Sequence, residues 1–177
     1  MTEVKIQGYG GQGAVTLATL LATAATASGY HAQSLPFFGV ERRGAPVRAV
    51  VRISDDVIRV HSQACMADLA VVLSENLMDT VLSGEIKSGA TLVVNAKDNP
   101  TVPDHPVTSL DAAGIALEAG LGTGSAAVNV PMYAAACRAL GFSRETAVAV
   151  LRAKWGGSIG EKNVAAAEAA YEAAGGQ

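Results

Sequence analysis

The residues of this chain best suited to meet a ligand stand near its amino terminus, in the run Gly8-Tyr9-Gly10-Gly11-Gln12-Gly13. Gly8, Gly10 and Gly13 fall on the G-x-G-x-x-G spacing. The run follows a short apolar stretch, Val4-Lys5-Ile6, and opens an alanine- and leucine-rich one. A strand that passes through glycines into a helix is the first turn of a parallel α/β domain. There the glycines allow a tight turn, close backbone approach to a ligand, and close helix–strand packing. Gly11 widens the space further, and the exposed amides and helix dipole favour an anion above the loop. The same glycines also suit a turn that does nothing but join strand to helix.

A second stretch is richer in reactive and adhesive groups: Leu35-Pro36-Phe37-Phe38-Gly39-Val40-Glu41-Arg42-Arg43-Gly44-Ala45-Pro46. Prolines and glycines give such a loop a defined shape. Phe37 and Phe38 side by side call for burial under another surface, and the planar forks of Arg42 and Arg43 suit a carboxylate or a phosphate. The reading is an interface or an active-site-facing element. A loop folded over its own core, with Glu41 paired to an arginine, remains open as the alternative. Arg59 adds to this positive section of an otherwise acidic chain, which suits an anionic ligand or an acidic partner, and equally a solvated edge whose charges discourage strand addition.

Little else in the sequence can do chemistry. His31, His61 and His105 are scattered, and no Ser/His/Asp or Cys/His arrangement stands out. Cys65 and Cys137 are isolated, so this chain alone offers neither a zinc site nor an iron–sulfur ligand set. No catalytic residue and no metal ligand is therefore assigned to it. Dinucleotide sites usually carry an acid near the end of the second strand, about 20 residues past the glycines. Gln33 and Ser34 stand there instead, which argues against a nicotinamide cofactor.

The elements that must position these groups follow from pattern. The 177 residues are 50% hydrophobic and 16% charged, with net charge -3, which describes one globular domain over 1–177. The acidic balance and the 5% aromatic content argue against nucleic-acid binding. With no apolar run of about 20 residues and no signal peptide, a cytoplasmic, membrane-free protein is expected. Leu17, Leu20, Leu21 and Ala24 recur at helical spacing, and a second strand is expected from His31 to Leu35. Val47 to Ile53 alternates, Ser54-Asp55-Asp56 turns, and Val57 to His61 is expected to run back, giving an inserted β-hairpin over about 47–61. Asp68 to Leu73 and Thr91 to Asn95 read as buried parallel strands, with Gly89 turning into the latter. Val107-Thr108 is a short last strand. Asp111 caps one helix and Ser143 another; Asn129 with Pro131 starts a third, and Ser158 with Glu161 has capping-box spacing for the last. The expected class is α/β: a flavodoxin/Rossmann-like, mostly parallel sheet with helices on both faces and a helical C-terminal region. Its strand ends would bring Gly8, Gly10, Leu35, Ser74 and Asn95 to one rim.

Taken together, Gly8 to Val15 and Phe38 to Val47 closely resemble the gamma subunit of 2-oxoacid:acceptor oxidoreductases, including the pyruvate:ferredoxin and 2-oxoisovalerate:ferredoxin enzymes. Val50-Val51-Arg52-Ile53-Ser54-Asp55 and Glu161-Lys162-Asn163 look like that family too, so the resemblance covers nearly the whole chain. It implies a hetero-oligomeric complex that oxidatively decarboxylates a 2-oxoacid such as pyruvate with thiamine diphosphate and Mg. Electrons would pass through iron–sulfur clusters to ferredoxin or a similar acceptor, often with formation of an acyl-coenzyme A. Those cofactors would sit on alpha-, beta- and ferredoxin-like delta-type partners, leaving this chain a supporting role and no activity in isolation. The ligand- or interface-binding candidates are then Gly8, Gly10, Gly11, Gln12, Gly13, Phe38, Glu41, Arg42 and Arg43. The alternative is a free-standing nucleotide- or flavin-binding Rossmann-like oxidoreductase domain.

Overall fold

The computed structural model describes residues 1–37, 46–60, 62, 66–122 and 125–176. In chain order the elements are β1 (Thr2–Tyr9), α1 (Ala14–Ala27), β2 (His31–Phe37), β3 (Pro46–Ser54), β4 (Ala67–Val72), α2 (Met78–Leu82), β5 (Ile86–Asn95), β6 (Val107–Leu110), α3 (Ala112–Glu118), α4 (Asn129–Ala139), α5 (Arg144–Lys154) and α6 (Gly157–Ala173). Short 3-10 turns precede α2 at Glu75–Leu77 and α4 at Ser125–Val128. The strands form one six-stranded sheet in the order β2-β3-β1-β4-β5-β6. β1, β4, β5 and β6 run parallel, and β3 is antiparallel to both its neighbours, β2 and β1. β2 therefore points the same way as β1 but stands one strand removed from it.

The α/β class holds, and the two faces of the sheet are dressed differently. Alternation sends Val4 and Ile6 of β1, Val47, Ala49, Val51 and Ile53 of β3, and Leu69 and Val71 of β4 into one large core. Leu17, Leu20, Leu21 and Ala24 of α1 meet them, with α4, α5 and α6 packed around. Every residue of α4 from Val130 to Cys137 is buried, as a helix apolar all round must be. Among the described residues, the other face carries α2 and its 3-10 turn over Ala70, Val72, Leu92 and Val94, and a small cluster of Val50 and Ala67 with Leu35 and Phe37. Beneath β3 and β1 that face is polar yet closed: Lys5, Gln7 and Arg52 are buried there.

The inserted hairpin is corrected. Val47–Ile53 lies in a strand, but Val57–Val60 is irregular, and His61 lies outside the described residues. The partner of β3 is β2, so the true hairpin closes through residues 38–45. The physical reason is that β3 is an inner strand: β2 and β1 already occupy both its edges. The Arg52 guanidinium, moreover, donates to the Val60 and Ser62 carbonyls that a returning strand would have used in a ladder. Two smaller expectations also fail. Gly89 (φ +77°) lies inside β5 rather than before it. α6 starts at Gly157 with no side-chain cap, so Ser158 and Glu161 make no capping box. Asp111 and Ser143 do cap, accepting from the Gly114 and Thr146 amides at 2.9 and 3.1 Å.

Candidate functional site

β1 delivers the chain to the carboxyl edge of the sheet, and Gly8 to Gly13 turns it there into α1. The glycines divide into two kinds. A Cβ on Gly8 would lie 2.8 Å from Leu73 Cδ1, and one on Gly13 would lie 2.7 Å from Asn129 Nδ2. Both positions are spent on packing. Gly13 also has φ +79°, in the left-handed region that favours glycine. Gly11 differs: it is exposed, has φ +95°, and would meet nothing within 4 Å. Gly10, beside it, is half-buried. The open part of the loop is therefore Gly11.

Gln12 has a role that the spacing of the glycines did not announce. Its Oε1 accepts from the Tyr9 amide at 2.7 Å and its Nε2 donates to the Leu73 carbonyl at 3.3 Å. The same carbonyl accepts from Asn95 Nδ2 at 3.0 Å, while Asn95 Oδ1 accepts from the Ala112 amide at 3.1 Å. Two carboxamides thus lace β1, β4, β5 and the start of α3 together along the carboxyl edge. The switch point, where the chain leaves β1 in one direction and β4 lies in the other, is where ligands enter open α/β sheets. Here the protein's own amides span it. What stays available is the start of α1. Its Gly13 N-cap gives no side-chain cap, and its first turn holds no acid. Its leading amides and dipole are left to favour an anion.

The second sequence motif comes to the same edge. Tyr9 pairs with Pro46 and Gln7 with Arg48, while Phe37 pairs with Arg48 from the other side. The Pro46 end of the 38–45 connection therefore stands beside the glycine loop, and its Phe37 end one strand further out. Arg48 lies over the Phe37 ring, 4.1 Å from its centre, and ion-pairs with Glu85. Glu85 also faces the buried Lys5 ammonium at 3.7 Å, and Lys5 donates to the Gly84 carbonyl at 3.1 Å. Phe38, Glu41, Arg42 and Arg43 themselves lie outside the described residues. The rim expectation needs one change. Leu35 pairs with Val50, which pairs with Lys5, so Leu35 sits below the edge and Phe37 takes its place. Lys5, Gln7, Glu85 and Asn129 were missed in the sequence. The alternation Val4-Lys5-Ile6-Gln7 was the available signal, but a lysine on a strand reads as solvent-facing until its partners are seen.

Elsewhere on the carboxyl edge, Lys97, Asn99, Ser109, Asp111 and Glu118 line a groove of 340 Å³ beside β6. Lys97 stands 4.0 Å from Asp111 there. Of the cysteines, Cys137 is buried in α4 against Tyr133, and burial pushes its thiol up to about 12, a rise that the Tyr133 hydrogen bond only partly offsets. Cys65 lies outside the described residues. Among the described residues no group of three or more His, Cys, Asp or Glu could hold a metal ion. Among them, too, no helix is long and apolar enough to cross a membrane.

Residues 3–173 match the model of the pyruvate ferredoxin/flavodoxin oxidoreductase family. The chain is 42% identical over 175 residues to pyruvate synthase subunit PorC of Methanothermobacter marburgensis, covering 97% of both chains. It is 39% identical to the pyruvate/ketoisovalerate oxidoreductases common subunit gamma of Thermococcus kodakarensis, covering 97% of this chain and 96% of that one. Among solved structures it is similar to pyruvate oxidoreductase subunit PORC of Thermotoga maritima, with TM-score 0.81, 27% identity, and 97% and 95% of the two chains covered.

Proposed function

The chain belongs to the pyruvate ferredoxin/flavodoxin oxidoreductase family, and from that premise we propose that it is the gamma subunit of a 2-oxoacid:ferredoxin oxidoreductase complex, with all of 1–177 as one gamma-type domain. The complex is cytoplasmic and oxidatively decarboxylates pyruvate or a related 2-oxoacid. Thiamine diphosphate, magnesium and the iron–sulfur clusters reside on alpha-, beta- and delta-type partners. The two cysteines of this chain fall short of the four thiolates a cluster takes, and one of them is locked in the core. Its own part is to present the carboxyl edge of its sheet, with the glycine loop and the 38–45 connection, to the catalytic subunits and to coenzyme A.

One observation carries this reading. Two motifs more than 20 residues apart in sequence meet at one edge, where Tyr9 pairs with Pro46 next to Gly10. The edge suits a phosphate of coenzyme A: Gly11 is open, the first amides of α1 are uncapped, and the sequence supplies Arg42 and Arg43 within the connection. The free-standing dinucleotide reading is disfavoured by the topology. Because β3 stands between β1 and β2, the end of β2 lies two strand spacings, about 10 Å, from the glycine loop. An acid there could not reach a ribose held over the glycines.

The test is Arg42→Ala and Arg43→Ala, assayed in the assembled complex. A buried charge pair that loses one member costs about 3–5 kcal/mol, and an exposed one about 1 or less. Lost assembly assigns the arginine to a subunit contact; intact assembly with a raised coenzyme A KM assigns it to the cofactor. Wild-type assembly and kinetics in both variants would overturn the role given to this connection.

A further inference from the structure

Among the described residues no strand pairs with the outer side of β2. The hydrogen-bonding sense of that edge follows from the ladders behind it. The Leu73 amide donates to the Gln7 carbonyl at 2.8 Å, so the odd-numbered residues of β1 turn their backbone groups to β4. Val4, Ile6 and Gly8 then face β3, where their partners are Val51, Ala49 and Val47. Arg48, Val50 and Arg52 are left to face β2, and they meet Phe37, Leu35 and Gln33. The backbones of Ala32, Ser34 and Pro36 therefore point away from the sheet. Pro36 fits that placement, since a residue without an N–H is tolerated at an edge. The outward groups are the N–H of Ala32 and of Ser34 and the carbonyls of all three. None of the seven residues of β2 is buried, whereas six of the nine in β3 are.

Open edges are normally blunted by charge or cover. Apart from Pro36 this one is not: from Ile6 to Phe37 the sequence has no Asp, Glu, Lys or Arg, in a chain that is 16% charged. The same run supplies α1, the helix packed over β2. The exposed Thr19, Thr23 and Thr26 of α1 donate to the Val15, Thr19 and Ala22 carbonyls, so their hydroxyl protons are already spent within the helix. An edge with neither charge nor cover calls for a strand beside it, and its own pattern selects which. Ser34 is the midpoint of His31–Phe37. A twofold axis there sets two copies of β2 antiparallel and in full overlap. Ser34 then exchanges both its backbone bonds with Ser34 of the second copy, and the Ala32 N–H meets the Pro36 carbonyl. Both outward donors of each copy are satisfied, Pro36 is asked for no donor, and no charged side chain of the strand is set against itself. We propose that β2 is a homotypic docking edge, through which two copies of this chain join their sheets into one. The proposal goes beyond the gamma-subunit reading, which assigns the carboxyl end of the sheet and not its side.

The experiment uses the purified full chain, with sedimentation equilibrium for its mass and amide hydrogen exchange for the edge. Wild type is expected to sediment as a dimer in which the Ala32 and Ser34 amides are protected. Ser34→Pro removes the central outward donor without removing a ladder bond inside the chain. It should give a monomer whose circular dichroism matches wild type. Ser34→Cys is a second test. Residues opposed in a hydrogen-bonded pair have Cα atoms about 5.5 Å apart, which is within disulfide range, so mild oxidation should link two copies. Ala32→Cys, opposite Pro36, should link no more than wild type, whose Cys65 and Cys137 set the background. A monomeric wild type overturns the proposal. So does a dimer that a folded Ser34→Pro leaves intact. If Ser34→Pro does not fold, the two cysteine substitutions decide: linkage equal at both positions, or at neither, overturns it. Protection of the two amides only when other subunits are added assigns the edge to a different chain, and overturns it too.

Discussion

Arg52 shows how much one side chain can organise. It is a strand residue on the face opposite the main core, the largest of the fully buried side chains, and it bonds to Glu3 and two loop carbonyls. Arg52→Met keeps much of the volume and removes every donor, leaving the Glu3 carboxylate and the carbonyls without their partner. The expected loss is about 3–5 kcal/mol, read from the urea midpoint at unchanged m-value. A loss under about 1 kcal/mol would show that water reaches the pair as it does a surface one. Cys137 gives a second expectation. Its thiol should resist alkylation in the native protein at pH 8 and react on unfolding, because burial disfavours the thiolate. The sign with pH follows from its raised value. Between the ordinary 9.0 and about 12 the unfolded thiol has lost its proton while the folded one keeps it. Unfolding therefore becomes easier as pH rises through that window, and this contribution is fully present below it. Cys137→Ala should flatten the alkaline limb of a stability-against-pH curve; an unchanged limb would assign the loss to other groups.

At the scale of elements, the glycine loop separates packing from access. Gly13→Ala faces both a left-handed φ and the Asn129 amide, so a loss of about 1–3 kcal/mol is expected. Asn129→Ala in the same chain should recover the steric part only. Gly11→Ala has room, so the cost there is the backbone alone, about 1–2 kcal/mol. Equal losses at the two positions, measured by thermal unfolding, would mean that the Asn129 contact contributes nothing. The same loop shows what could be read without a structure. Strand, glycines and α1 were legible because apolar period and glycine spacing are local properties. So were the caps at Asp111 and Ser143, and the buried strands β4 and β5. The partner of β3 was not. Alternation in Val47–Ile53 says that a strand is half-buried, but not which edges are occupied, and β2 was available to fill one of them across 38–45. Nor was the role of Gln12 legible, since its two partners, Tyr9 and Leu73, meet only when β1 and β4 pair.

For the whole molecule, the distribution of polar groups bears on where chemistry can occur. The large core runs from β1 to α6, and the carboxyl edge is tied by the Gln12 and Asn95 carboxamides. An enzyme's reacting centre needs convergent acids, bases or a cofactor cradle. Among the described residues the glycine-loop end of this edge supplies backbone amides, groups that hold and orient an anion without transferring protons. Such a subunit acts on a reaction centred elsewhere, and its effect should be seen only in the assembly. The purified chain is expected to show no 2-oxoacid:acceptor oxidoreductase activity and to carry no stoichiometric iron, since Cys65 and Cys137 cannot supply a cluster's thiolates. Mixing it with the remaining subunits should raise the turnover of 2-oxoacid with a ferredoxin-type acceptor. The purified Gly10→Val variant, which places a branched side chain beside the open Gly11, should fold and yet restore turnover poorly. Iron, activity and coenzyme A dependence would be measured on chain, partners and mixture in parallel. Activity or iron in the isolated chain would refute the division of labour drawn here. Full restoration by Gly10→Val would reduce the glycine loop to a turn.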